Sequence, residues 1–79
     1  MAFLLEVEKM TNSITIILNG KPSLVSAQLS VAELVMQLNL AQQRIAVELN
    51  QMILPRSQYE QTHLKSQDQL EIVTAIGGG

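Results

Sequence analysis

The stretch SITIILNGKPSLV, residues 13–25, decides the fold. Ile14, Ile16 and Leu18 alternate with Thr15 and Ile17, the two-residue period of a strand. Asn19-Gly20 follows directly, and that pair tolerates the positive φ angles a tight hairpin turn demands. A β-hairpin is predicted, with its second strand near Leu24 to Gln28. Pro22 has no N–H to give to a ladder, so this second strand belongs at a sheet edge.

Beyond the hairpin the period changes. In SVAELVMQLNL, residues 30–40, Ser30 and Glu33 have the spacing of a capping box, and Val31, Leu34, Val35 and Leu38 recur at helical intervals. One helix is predicted from about Val31 to Leu38, ended by Asn39 and the polar residues AQQR. In IAVELNQMILP, residues 45–55, Ile45, Val47 and Leu49 alternate with Ala46 and Glu48. That is a strand, and a short one through Ile53 and Leu54 follows Asn50-Gln51. Pro55-Arg56-Ser57 breaks the run, and SQYEQTHLKSQDQ reads as a polar connection with room for one helical turn. The closing strand is QLEIVTAI, residues 69–76, with Leu70 and Ile72 toward the core and Glu71, Val73 and Ala75 away from it. One helix laid across a mixed sheet of four to five strands is an α+β fold, and it leaves the far sheet face open.

Seventy-nine residues suffice for one domain. Cysteine is absent, which excludes disulfides, thiolate metal sites and a cysteine nucleophile, and fits a reducing compartment. A net charge of −2, with the five Lys and Arg scattered, gives no basic field for nucleic acid. No apolar run approaches the roughly 20 residues that span a bilayer, so no membrane partner is expected and a cytoplasmic location is. Residues 1–13 read as an N-terminal extension, either loose or an extra edge strand, with an upstream start codon as another account. Residues 14–76 are the domain and 77–79 a flexible glycine tail.

The chain ends TAIGGG, residues 74–79, and three of its four glycines stand in that last triplet. A frayed end of small residues is the plain account. Against it, the glycines follow a strong strand without a polar linker, so the tail projects from a rigid base. A terminal carboxylate, with a pKa near 3.5, is an anion at neutral pH and a poor electrophile. Conversion to a mixed anhydride with AMP would open its carbonyl to attack. This sequence lacks a phosphate-cradling glycine-rich loop with lysine, so another protein must bind the ATP. Residues without a Cβ suit a narrow channel leading to that nucleotide.

ITIILNG, the capped SVAELVMQL helix, AVELNQMILPRSQY and DQLEIVTAIGGG together resemble the ThiS family, sulfur carriers of thiamin thiazole biosynthesis with the ubiquitin-like β-grasp fold. The resemblance covers residues 14–79. It implies a carrier that does no catalysis alone and binds no cofactor. A ThiF-like partner using ATP and Mg would adenylate the terminal glycine, and a sulfur donor protein would convert it to a thiocarboxylate. The sulfur would then pass to a ThiG-like thiazole synthase. Gly79 would hold the sulfur, with Gly77 and Gly78 threading the partner's site. Family members commonly end in two glycines, and this chain has a third.

The β-grasp arrangement also makes the first and last strands central, neighbouring and parallel, so the tail would leave a strand paired on both sides. Ile17, Ala46, Val73 and Ala75 on the open face, with Ile76, are the partner-binding residues this implies. The small subunit of molybdopterin synthase and ubiquitin-like modifiers share the paired glycines, and LNQMILPRS favours the thiamin branch. A non-covalent β-grasp interaction module with an inert tail is the rival from another class.

The remaining polar residues support no independent chemistry. His63, the single histidine, lacks a cysteine or paired carboxylate at ligand spacing and reads as a loop residue. The acidic residues are dispersed, so a carboxylate-pair hydrolase has no basis. Arg56 and Tyr59 are expected to pack and anchor their loop.

Overall fold

The computed structural model describes residues 12–75. Strands β1 (Ser13–Leu18) and β2 (Lys21–Ser26) precede helix α1 (Val31–Gln37). Strands β3 (Ile45–Leu49) and β4 (Met52–Leu54), a 3₁₀ turn (Arg56–Gln58) and strand β5 (Gln69–Thr74) complete the order. The five strands form one mixed sheet in the order β2-β1-β5-β3-β4. This is the β-grasp arrangement, with β5 in the middle, parallel to β1 and antiparallel to β3. Residues 1–11, Ile76 and Gly77 to Gly79 lie outside the described residues, and with them nearly all of the expected extension and the whole tail.

The hairpin forms as its turn chemistry dictates. Asn19 and Gly20 have φ of 50° and 83°, the two positive angles of a two-residue turn whose twist matches the strands. Because that turn uses only two residues, Lys21 already pairs with Leu18. β2 therefore runs from Lys21 to Ser26, earlier than the Leu24 to Gln28 expected from sequence, and Gln28, at φ 67°, belongs to the turn beyond it. Pro22 does lie on an edge strand. β1 starts at Ser13, which pairs with Ser26, one residue ahead of the expected domain start.

Helix α1 is closed at both ends by its own sequence. The Ser30 hydroxyl oxygen accepts from the Glu33 N–H at 3.0 Å while a Glu33 carboxylate oxygen accepts from the Ser30 N–H at 2.9 Å. At the other end Asn39 has φ 60°. There the Leu40 N–H reaches the Val35 carbonyl and the Asn39 N–H the Met36 carbonyl, the paired bonds of a Schellman motif. Leu38 is thus the cap, not the last helical residue.

Substitution Ser30→Ala removes one bond of the box and is expected to lower stability by about 1 kcal/mol, read as a shift of the urea midpoint at neutral pH. The same Ser30 backbone and side-chain bonds hold the Glu33 carboxyl below its ordinary 4.5. A lowered folded value gives stability that is present above the ordinary value and lost as pH falls through the lowered one. Part of the Ser30→Ala deficit should therefore shrink in acid.

The core lies between α1 and one sheet face. Ile16, Val47, Leu70 and Ile72 from the sheet meet Val31, Leu34 and Val35 from the helix. Tyr59 and Leu64 are also buried, although they come from a connection whose composition is polar. They are the apolar residues of that stretch, and they close the core where β4 hands over to β5. Arg56 ties this connection down as expected, donating to the carbonyls of Gln43 at 2.9 Å and Ala41 at 3.4 Å and lying 5.8 Å from the Tyr59 ring centre.

Candidate functional site

Alternation along β5 divides its side chains cleanly. Leu70 and Ile72 are buried under the helix, whereas Glu71, Val73 and Ala75 are exposed on the opposite face. Cross-strand register then fixes their neighbours. Ala46 lies opposite Val73, Glu48 opposite Glu71, and Ile53 of β4 opposite Glu48. At the start of β5, Gln69 lies opposite Ile17, which has Pro22 of β2 on its other side.

The four residues expected on the open face are all there, but they are not one patch. Ala46, Val73 and Ala75 cluster near the end of β5, where Val73 is 60% exposed. Ile17 is half-buried and stands four residues back along β5, about 13 Å at the strand rise of 3.3 Å. Between them runs the row that carries Glu48 and Glu71 side by side. Like charges placed directly opposite destabilise a ladder, and exposure to water is what makes this pair tolerable. Sequence alone could not pair them, because their separation along the chain says nothing about register.

The root of the tail is held asymmetrically. On the β3 side, β5 is paired through Thr74, and the Ala75 N–H donates to the Arg44 carbonyl at 2.8 Å. On the other side β1 pairs with β5 only at Gln69 and Leu70, because β1 then turns away at Asn19-Gly20. β5 is thus paired on both sides, as expected, but its pairing with β1 stops well short of its end. Among the described residues, β1 gives β5 no backbone partner beyond Leu70, and the Asn19 side chain takes over at Ile72.

His63 is an exposed loop residue, bridged to Ser30 through the backbone. Among the described residues no group of three His, Cys, Asp or Glu could hold a metal, and no helix is long and apolar enough to cross a membrane. An exposed hollow lined by Ala32, Val35, Met36, Ala41, Arg56, Tyr59 and Glu60 lies beside the helix. It brings together no acid, base and nucleophile in a catalytic arrangement.

Comparison with known proteins agrees with this geometry. The ThiS family model matches residues 13–79. The crystal structure of a thiamine biosynthesis protein (ThiS) from Geobacter metallireducens is similar to this chain at a TM-score of 0.72 and 38% identity, covering 84% of this chain and 100% of that one. The uncharacterized protein ycf40 of Pyropia yezoensis is 40% identical over 68 residues, 86% of this chain and 96% of that protein. A thiazole synthase of Paramagnetospirillum magneticum is 39% identical over 64 residues, which are 81% of this chain and 20% of that enzyme.

Proposed function

This chain belongs to the ThiS family of sulfur carriers in thiamin biosynthesis, which are not themselves catalysts, and from that premise we propose that Gly79 is its reactive residue. A ThiF-like partner binds Mg-ATP, and an oxygen of the Gly79 carboxylate attacks the α-phosphorus, displacing pyrophosphate. The resulting acyl adenylate is open to a donor that delivers sulfur at the oxidation level of hydrosulfide. Sulfur bonds to the carbonyl carbon and AMP leaves with the electron pair, so one terminal oxygen is replaced by sulfur. A ThiG-like thiazole synthase then receives that sulfur. The carrier itself contributes no cofactor, and it works in the cytoplasm, whose reducing conditions its lack of cysteine suits.

The observation that carries this proposal is the continuity between β5 and the tail. The central strand of the sheet is bonded through Ala75, and the sequence then runs within one residue into Gly77, Gly78 and Gly79. A rigid root followed by residues without side chains is suited to presenting a carboxylate inside another protein. Ala46, Val73 and Ala75 beside that root, with Ile76, are the surface on which the activating partner would rest, and Ile17 is a more distant contact. The similarity to a stretch of thiazole synthases supports the choice of recipient.

Incubation with the cognate activating enzyme, Mg-ATP and a sulfur donor is expected to replace one oxygen by sulfur in the intact mass. An unchanged mass, with a control carrier reacting alongside, would overturn the proposal.

A further inference from the structure

Two turns of the same build flank β5. Leu18-Asn19-Gly20 joins β1 to β2, Leu49-Asn50-Gln51 joins β3 to β4, and both Leu18 and Leu49 are register partners of Leu70. Asn19 and Asn50 are both left-handed, at φ 50° and 52°. In each turn the asparagine reaches β5 with its backbone and again with its side chain. The Asn50 N–H donates to the Gln69 carbonyl at 2.7 Å. The Asn50 side chain accepts from the Gln69 N–H at 2.9 Å and donates to Asp68 at 3.1 Å. The Asn19 N–H donates to the Leu70 carbonyl at 2.8 Å, and its side chain accepts from the Ile72 N–H at 2.8 Å. A backbone N–H can only donate, so the atom it meets is the carboxamide oxygen in both cases.

Strand direction separates the two roles. β3 is antiparallel to β5 and β1 is parallel, so Asn50 holds the beginning of β5 and Asn19 reaches toward its end. The Asn19 oxygen stands where the next backbone carbonyl of β1 would have been had that strand continued. It carries the ladder one bond further than the β1 backbone does, at Ile72, where among the described residues β1 gives β5 no backbone partner.

We propose that Asn19 is a positioning residue for the reactive arm, holding the end of β5 in the sheet so that the glycines leave from a fixed point. This rests on the carrier function proposed above. With the bond intact, the root of the arm is already ordered when the activating enzyme meets it. Without it, the last residues of β5 open more often, and only the closed fraction docks productively. Apparent affinity falls by that fraction while the chemistry after docking is unchanged, so the loss appears in KM and spares kcat.

Three variants test it. Asn19→Gly keeps the left-handed turn and removes the oxygen; Asn19→Asp keeps both; Asn50→Gly does to the start of β5 what the first does to its end. Asn19→Gly is expected to leave the end of β5 open most of the time, so that the Ile72 amide exchanges near its unprotected rate and, with about a fifth of the chain closed, the carrier's KM for adenylation rises about fivefold, with kcat held. Asn19→Asp should return both to near the wild-type values. Asn50→Gly should speed exchange at Gln69 and leave KM alone. An unchanged KM in Asn19→Gly, an equal rise in Asn50→Gly, or failure of Asn19→Asp to restore Ile72 protection would each overturn the assignment. If the wild-type chain is never adenylated, the carrier function fails; the hold on β5 is then judged by exchange, and equal Ile72 protection in wild type and Asn19→Gly overturns it.

Discussion

Removal of Gly78 and Gly79 is expected to abolish thiocarboxylate formation and leave thermal unfolding unchanged. Among the described residues every buried core residue lies between Ile16 and Ile72, and the truncation touches none of them. It also leaves a terminal carboxylate in place, now on Gly77. The chemistry is lost through reach alone. Two extended residues span about 7 Å, and a nucleophile must come within about 3–3.5 Å of its target to react. A carboxylate held that far from the nucleotide cannot attack it, and a shortened arm cannot compensate while its root is bonded at Ala75.

The same truncation separates carrier from interaction module. A protein that works by its open face would keep both its binding and its support of thiazole formation without the last two glycines. A carrier would keep part of its binding, through Ala46, Val73 and Ala75, and lose sulfur transfer altogether. Intact mass after incubation with activating enzyme, Mg-ATP and sulfur donor reads the second property, and a pull-down reads the first. Sulfur appearing on the truncated chain would overturn Gly79 as the reactive residue, and thiazole formation supported by a truncated chain that gains no sulfur would overturn the carrier function.

Local chemistry makes most of the fold legible in the sequence. Asn19-Gly20, Ser30 with Glu33, and the alternation in residues 45–49 each name an element, and each forms where its own short-range physics places it. Asn19, Asn39 and Asn50 each follow a leucine, each has positive φ, and each ends an element. What stays hidden depends on register. Alternation assigns Ala46, Val73 and Ile17 to one face, but only strand pairing reveals that Glu48 and Glu71 stand between them. The Asn19 side chain is legible as a turn residue and not as a partner of Ile72, because that bond joins positions 53 residues apart. Tyr59 and Leu64 escape a reading by composition because their neighbours are polar, though two apolar residues in such a connection are the signal of a loop that caps a core.

Leu70→Ala is expected to have the largest effect on stability. Leu70 is fully buried on the central strand and is the register partner of Leu18 on one side and Leu49 on the other. Truncating a buried leucine costs about 2–5 kcal/mol in lost transfer energy and residual cavity. A chain of 79 residues has about 4–12 kcal/mol in all, at the usual 0.05–0.15 kcal/mol per residue. The variant should therefore unfold about 10 °C or more below wild type, and Leu70→Met, which keeps the volume, should stay much closer. Loss of sulfur acceptance by Leu70→Ala should track the unfolded fraction and recover on moderate cooling, whereas truncation of the glycines cannot be rescued by temperature. The contrast follows from where each residue would act in the proposed carrier: Leu70 secures the strand that roots the arm, and Gly79 would be the end the arm delivers. An unfolding midpoint within a degree or two of wild type would mean that β5 is not the packed centre of the sheet, and the rigid root on which the carrier function depends would go with it.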